Sequence, residues 1–148
     1  MPEMSLPRPL VGFSLAGLVP QAICLVLVLQ GGPERWFATA AACFYAAIIL
    51  SFLGGLWWMA GMLGGVRAGW VYGLAVTPSL IGFAALLPWS LGWRWPGPSL
   101  AVLALALLAS PLVDFTLARH VALPPGWLRL RVIIASGLGL MTLFIAAA

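Results

Sequence analysis

Asp114 is the residue whose type and position most clearly indicate chemistry. It is the one acid of the chain that lies within a long apolar segment. A carboxylate in hydrocarbon is energetically costly and is expected to face inward, toward a partner. Arg119 lies five residues further along, and the next apolar segment opens with Arg129 and Arg131 on the same side. A guanidinium can bind a carboxylate through two parallel hydrogen bonds. We therefore expect an ion pair where the last two segments meet.

This charge cluster has two interpretations. In the first, the pair between Asp114 and an arginine is a structural link between the last two segments. In the second, Arg129 and Arg131 bind the polar head of a quinone, a tetrapyrrole or a lipid, and Asp114 orients them. Trp57 and Trp58 lie inside the second segment and are candidates to line the same cleft, although packing on a neighbour or facing lipid would also explain them.

Other residue types give no indication of a reaction centre. No His or Lys and no second acid lies in the middle of an apolar segment, and no spacing matches a metal site or a nucleophile with its base. Cys24 and Cys43 are two isolated cysteines at matching depths of adjacent segments, which favours reduced thiols over a disulfide framework. We expect no enzyme activity, no cofactor and no metal.

Five apolar segments must position these side chains. The 148 residues are 64% hydrophobic and only 7% charged, whereas a soluble domain carries about 25% charged residues. About 20 apolar residues in a helix cross the hydrocarbon core of a bilayer. We predict an all-α fold, a bundle of five transmembrane helices with short loops, as one integral membrane domain over 1–148. The predicted spans are residues 10–30, 37–62, 70–89, 99–118 and 128–148.

The arginines indicate an orientation. Five of the seven arginines fall on the side of the membrane that carries the N-terminal tail and the second and fourth links between the apolar segments, and two fall on the other side. Cytoplasmic loops are enriched in positive residues, so we expect a cytoplasmic N-terminus and an external C-terminus. Because the arginines are single residues at segment ends, they indicate no nucleic-acid partner.

Small residues in the second segment indicate close helix packing. In lipid, helices associate through small side chains that let backbones approach, and we expect the second helix to be central. The predicted contact positions are Ala47, Ser51, Gly54, Gly55 and Gly61. Pro78 and Pro111 lie inside the third and fourth segments and should bend them; nearby hydroxyls, including that of Ser110, can satisfy the freed carbonyls.

Several stretches of the sequence resemble an uncharacterised membrane family, the domain of unknown function numbered 3429, which includes transmembrane-protein-69-like proteins. The resemblance implies five membrane helices in bacterial inner membranes or mitochondria and no established activity. This chain has Trp57 and Met59 where the family pattern often has a basic residue or His and a Gly. The stretches that carry the resemblance are YAAIILSFLGGLWW at residues 45–58, TPSL at 77–80, Asp114, and PGWLRLR at 125–131.

Two functions are compatible with these features. The first is a non-catalytic inner-membrane protein that acts through helix contacts, as an accessory or assembly partner of a larger complex or as a homo-oligomer. The second is a binder or carrier of a hydrophobic molecule with a polar head, in a cleft near Trp57, Trp58, Asp114 and Arg129. The expected partners are membrane lipids and either another membrane protein or a second copy of the chain.

Overall fold

Six helices account for all regular structure in residues 6–148, which are the residues that the computed structural model describes. They are joined by links of two to nine residues, many of which contain glycine or proline. The helices are α1 (Arg8–Ala16), α2 (Val19–Gln30), α3 (Arg35–Leu63), α4 (Gly69–Ser90), α5 (Gly97–Leu117) and α6 (Trp127–Ala147).

Five helical units are long and apolar enough to cross a membrane, with α1 and α2 together forming the first, Arg8–Gln30. The predicted all-α fold with five spanning helices is confirmed, and these helices indicate a multi-pass membrane protein. Their bounds lie within two residues of the predicted spans. The differences arise because polar and interfacial residues at the ends, such as Arg35 and Trp36 of α3, continue the helix beyond the apolar run.

The first span contains a break that the sequence analysis did not predict. Gly17 and Leu18 separate α1 from α2, and the Leu18 N–H bonds the carbonyl of Leu15 at 3.0 Å, three residues back. Pro20 has no N–H to offer the carbonyl four residues before it, which weakens the helix at this point. The hydroxyl of Tyr45 on α3 donates to the Gly17 carbonyl and holds the break against the bundle.

Helix α3 is central, because it packs against α2, α4, α5 and α6. Its contact with α4 is close at Gly54, where a Cβ would overlap the carbonyl oxygen of Ala75. At Gly61, a Cβ would lie 3.1 Å from the Val71 side chain. Backbones that approach this closely need small residues, so the α3–α4 pairing depends on these glycines.

Four of the five predicted packing residues lie at the α3–α4 contact. In addition to the two glycines above, Ala47 and Ser51 border Gly82 of α4, whose Cβ would meet the Ala47 carbonyl at 3.1 Å and the Ser51 hydroxyl at 3.3 Å. Gly55 does not share this contact: it is exposed, and no atom lies within 4 Å of the place its Cβ would take. One residue corresponds to a rotation of about 100° around a helix, which turns Gly55 away from α4.

Candidate functional site

Asp114 and Arg131 form an ion pair between α5 and α6. The Nε of Arg131 donates to Oδ2 of Asp114 at 3.0 Å, and each side chain is only 5% exposed. The contact is made through Nε alone, not through a two-pronged pair of bonds. Breaking a buried pair by removing one partner costs about 3–5 kcal/mol, so the pair ties the last two helices together.

Trp57 joins this pair from α3. Its indole Nε1 donates to Oδ1 of Asp114 at 3.0 Å, the carboxylate oxygen that Arg131 does not contact. Each oxygen of Asp114 thus has one donor, from a different helix. The carboxylate connects α3, α5 and α6 and is fixed in position from two directions.

Ser110 extends the cluster along α5. Pro111 has no N–H for the carbonyl of Leu107 four residues earlier, and the Ser110 hydroxyl donates to that carbonyl instead, at 2.7 Å. Nη2 of Arg131 in turn donates to the Ser110 oxygen at 3.2 Å. The hydroxyl therefore satisfies the carbonyl freed by the proline and also accepts from the buried arginine.

Arg131 also lines a groove of about 300 Å³ between α1, α3 and α6, here named the α1–α3–α6 groove. Apart from Arg131, its walls are almost entirely apolar. Phe13 and Phe52 are 81% and 61% exposed, so the mouth of the groove is formed by side chains that would face lipid. Among the lining residues are Phe13, Ser14, Leu53, Trp127, Arg131 and Leu138.

A second, smaller cavity lies on the other side of the polar cluster. It measures about 180 Å³ and is bordered by α3, α4 and α5, beside the prolines inside α4 and α5. Trp57 and Ser110 line it. The cluster of Trp57, Ser110, Asp114 and Arg131, here named the polar cluster, thus contributes side chains to both the groove and this cavity.

The structure brings together three of the five residues predicted to bind a ligand: Trp57, Asp114 and Arg131. It does not bring Trp58 and Arg129 to them. Trp58 is 45% exposed and stands edge-on to Tyr72 of α4, with ring centroids 5.0 Å apart. Arg129 is exposed. It precedes Arg131 by two residues, which corresponds to a rotation of about 200° around α6, so the two residues lie on different faces of the helix.

Two features of the site were missed from the sequence. The sequence predicts a role for Ser110 only at the proline break, but Ser110 also precedes Asp114 by four residues and therefore shares its helix face. The groove was also missed, because it depends on the break after α1. Gly17 followed three residues later by Pro20 was the available signal for that break.

A second buried polar contact joins α2 to α6. Gln21 of α2 is fully buried, and its Nε2 donates to the hydroxyl of Thr142 on α6 at 2.7 Å. That hydroxyl donates to the Leu138 carbonyl at 2.7 Å. Within residues 6–148, Oε1 of Gln21 is buried without a hydrogen-bond partner. The two cysteines are free, with Cys43 buried and Cys24 half-buried.

The comparison with protein families covers nearly the whole chain. The family model described as "Protein of unknown function (DUF3429)" matches residues 6–147. The chain belongs to this family. The suspected membership in DUF3429 is therefore confirmed, and every residue of the polar cluster lies inside the matched region. No match was found among the curated proteins or the solved structures.

The part of the chain that the structure describes offers few groups for a metal. Across residues 6–148, no three or more His, Cys, Asp or Glu side chains lie together in a way that could hold an ion. The carboxylate of Asp114 is engaged by two donors. What the arrangement offers chemically is a fixed guanidinium at the wall of an apolar groove.

Proposed function

We propose that this DUF3429 protein binds a hydrophobic molecule with a polar head in the α1–α3–α6 groove. The observation that carries the proposal is Arg131, a charged residue that is 4% exposed yet lines a groove with apolar walls. Small-molecule sites typically have this composition, with about 300–1,000 Å³ of mostly apolar space and a few polar groups that fix orientation. The function is one of binding or carrying, and it assigns no reaction to the polar cluster.

The placement of Arg131 along α6 suits an amphiphile. It lies four residues after the first residue of the helix, which is about 6 Å along its axis, and Leu138 lies about 10 Å further on. The head would therefore sit near the end of the bundle, and the tail would run along the apolar wall toward the centre. The exposed phenyl rings at the mouth allow entry from the bilayer side.

Filling the groove tests the proposal. Ser14 lines the groove, whereas Ala16 on the same helix is exposed and lies outside it. We expect Ser14→Trp to abolish retention of one amphiphile per chain in native mass spectrometry from a nonionic detergent, and Ala16→Trp to retain it. Equal retention by both variants, or no retained amphiphile in the parent, would contradict the proposal.

A second candidate function is an accessory or assembly role in a larger membrane complex or in a homo-oligomer, carried by the outer face of α4. Gly69, Gly73 and Thr77 recur every four residues there and are exposed, and no atom lies within 4 Å of a Cβ at either glycine. Such spacing lets a second helix approach closely. The Thr77 hydroxyl already bonds the Gly73 carbonyl at 3.0 Å, so covering it would leave no donor unpaired.

The two functions can be separated by a pair of glycine variants. Gly12 on α1 is also exposed with open space around it and serves as the matched control. If α4 is a contact surface, Gly73→Ile should abolish chemically cross-linked complexes in native membranes, whereas Gly12→Ile should leave them unchanged. Identical cross-linking patterns would remove this candidate without affecting the groove.

We also propose that the protein lies in a bacterial inner membrane with its N-terminus in the cytoplasm. The excess of arginines on the side of the N-terminal tail supports this orientation. A membrane-impermeant maleimide tests it in a Cys24→Ser, Cys43→Ser background. Leu91→Cys should label in intact cells, and Ala122→Cys only after permeabilisation; the reverse pattern would invert the topology.

A further inference from the structure

We infer that the α1–α3–α6 groove selects an amphiphile whose head is an anionic oxygen group, a carboxylate or a phosphate, and that the outer N–H groups of Arg131 bind it. The inference rests on the proposed function and adds the chemical class of the ligand. It assigns Arg131 as the binding residue, and Asp114, Trp57 and Ser110 as positioning residues that hold its guanidinium in place.

The hydrogen-bond count of Arg131 leaves donors for a ligand. A guanidinium has five N–H groups. One is used on Asp114 through Nε and one on Ser110 through Nη2. The remaining three, two of them on Nη1, take no part in these two bonds, and the side chain is 5% exposed. Free donors of an arginine at the wall of an apolar groove can bind acceptors that come from outside the protein.

The groove itself supplies almost no acceptors. Besides Arg131, the side chains with polar atoms in its wall are Ser14 and Trp127. The indole of Trp127 can only donate, and Ser14 offers one hydroxyl. A head group that donates would therefore find one partner in the described wall, whereas an acceptor oxygen finds several donors. The chemistry of the wall favours a head rich in oxygen lone pairs.

The charge around the mouth favours an anion over a neutral acceptor. The exposed arginines at this end of the bundle are Arg8, Arg67, Arg119 and Arg129. In the described part of the chain, Asp114 is the one acid on this side, and it is buried against Arg131. The first turn of α6 carries no acid and no side-chain cap, so the positive end of its dipole adds to the same field.

Asp114 and an anionic head would compete for the same guanidinium. Asp114 and Ser110 engage Nε and Nη2, which leaves Nη1 free, and Arg131 lines the groove. Removing its charge should therefore free Arg131 to bind an anion more tightly, provided that the arginine stays in place. A purely structural ion pair predicts the opposite, since loss of the carboxylate would only loosen the bundle. The direction of this change separates the two roles.

The experiment uses the full chain in a nonionic detergent, with a photoreactive palmitate that labels the groove. Hexadecyl phosphate, palmitate and hexadecanol compete for labelling. We expect the two anions to compete at concentrations about tenfold or more below that of the alcohol, since charge-assisted hydrogen bonds are stronger than neutral ones. Palmitate and the phosphate distinguish a carboxylate head from a lipid phosphate.

Variants assign the effect to Arg131. Asp114→Asn should increase the preference for anions several-fold, and the double variant Asp114→Asn with Arg131→Met, which buries no unpaired charge, should abolish the preference. Arg94→Met, which removes an exposed charge on the opposite side, is the matched control and should preserve it. Equal competition by alcohol and acid, with groove labelling intact, overturns the inference but leaves the proposed function. If no probe labels the groove in a way that a competitor reduces, both the inference and the proposed function are overturned.

Discussion

The indole of Trp57 donates to the one oxygen of Asp114 that Arg131 does not contact, at 3.0 Å. Residues 57, 114 and 131 belong to three different helices, and the carboxylate is the point where these helices meet. Because each of its oxygens accepts one hydrogen bond, the carboxylate is held from two sides and fixes the guanidinium. The N–H groups of Arg131 that Asp114 and Ser110 do not engage are the free donors of the polar cluster.

The first prediction concerns the buried charge pair. Arg131→Met leaves the Asp114 carboxylate unpaired and should lower the free energy of unfolding by about 3–5 kcal/mol. Adding Asp114→Asn removes the unpaired charge and should restore most of that loss. Thermal unfolding in detergent measures both. A double variant as unstable as the single one would mean that the charge of Asp114 does not matter for folding.

The second prediction concerns the indole donor. Trp57→Phe removes a hydrogen bond to a charged acceptor in a buried site, which should lower stability by about 1.5–3 kcal/mol. Trp58→Phe is the matched control, because Trp58 is adjacent in sequence but 45% exposed and outside the cluster. Its effect should be well below that of Trp57→Phe. Equal effects would show that the bond between Trp57 and Asp114 contributes little.

The third prediction compares two neighbouring glycines of α3. Gly54→Leu places a side chain where even a Cβ would overlap the Ala75 carbonyl, so it should separate α3 from α4 and abolish a stable bundle. Gly55→Leu adds a side chain in open space and should change stability by less than about 0.5 kcal/mol. Size-exclusion profiles and melting temperatures report both outcomes. A stable Gly54→Leu protein would contradict the close α3–α4 contact.

The fourth prediction concerns the break between α1 and α2. Tyr45→Phe removes the hydroxyl that donates to the Gly17 carbonyl. No residue of α1 is buried, so we expect amide exchange in residues 8–17 to accelerate, while α5 and α6 remain protected. Hydrogen–deuterium exchange by mass spectrometry measures this difference. Unchanged exchange in α1 would show that the hydroxyl does not restrain it.

Much of the fold follows from the sequence because lipid imposes simple rules. Five apolar runs give five helices, since every backbone polar group must be satisfied within a span. An arginine partner for Asp114 also followed, because a lone buried acid needs a partner. The sequence does not decide among Arg119, Arg129 and Arg131, because the choice depends on which face of α6 meets α5.

The groove could not be predicted for a different reason. It exists because the chain breaks at Gly17 and Leu18, and α1 then packs mainly on α6. Hydropathy treats residues 8–30 as one continuous span, so it conceals the break. The free donors of Arg131 likewise depend on three-dimensional contacts, because the ion pair with Asp114 uses only the Nε of the guanidinium.

Mapping a tail-labelled palmitate on the native chain tests the central claim most directly. The protein is reconstituted in lipid nanodiscs, irradiated with a probe whose diazirine is in the tail, and digested for mass spectrometry. We predict that adducts concentrate on the walls of the α1–α3–α6 groove, near Phe13, Leu53 and Leu138. Leu80 and Phe83 of α4 are exposed outside the groove. Adducts spread evenly over lipid-facing side chains, with these two labelled as strongly as the groove, would contradict it.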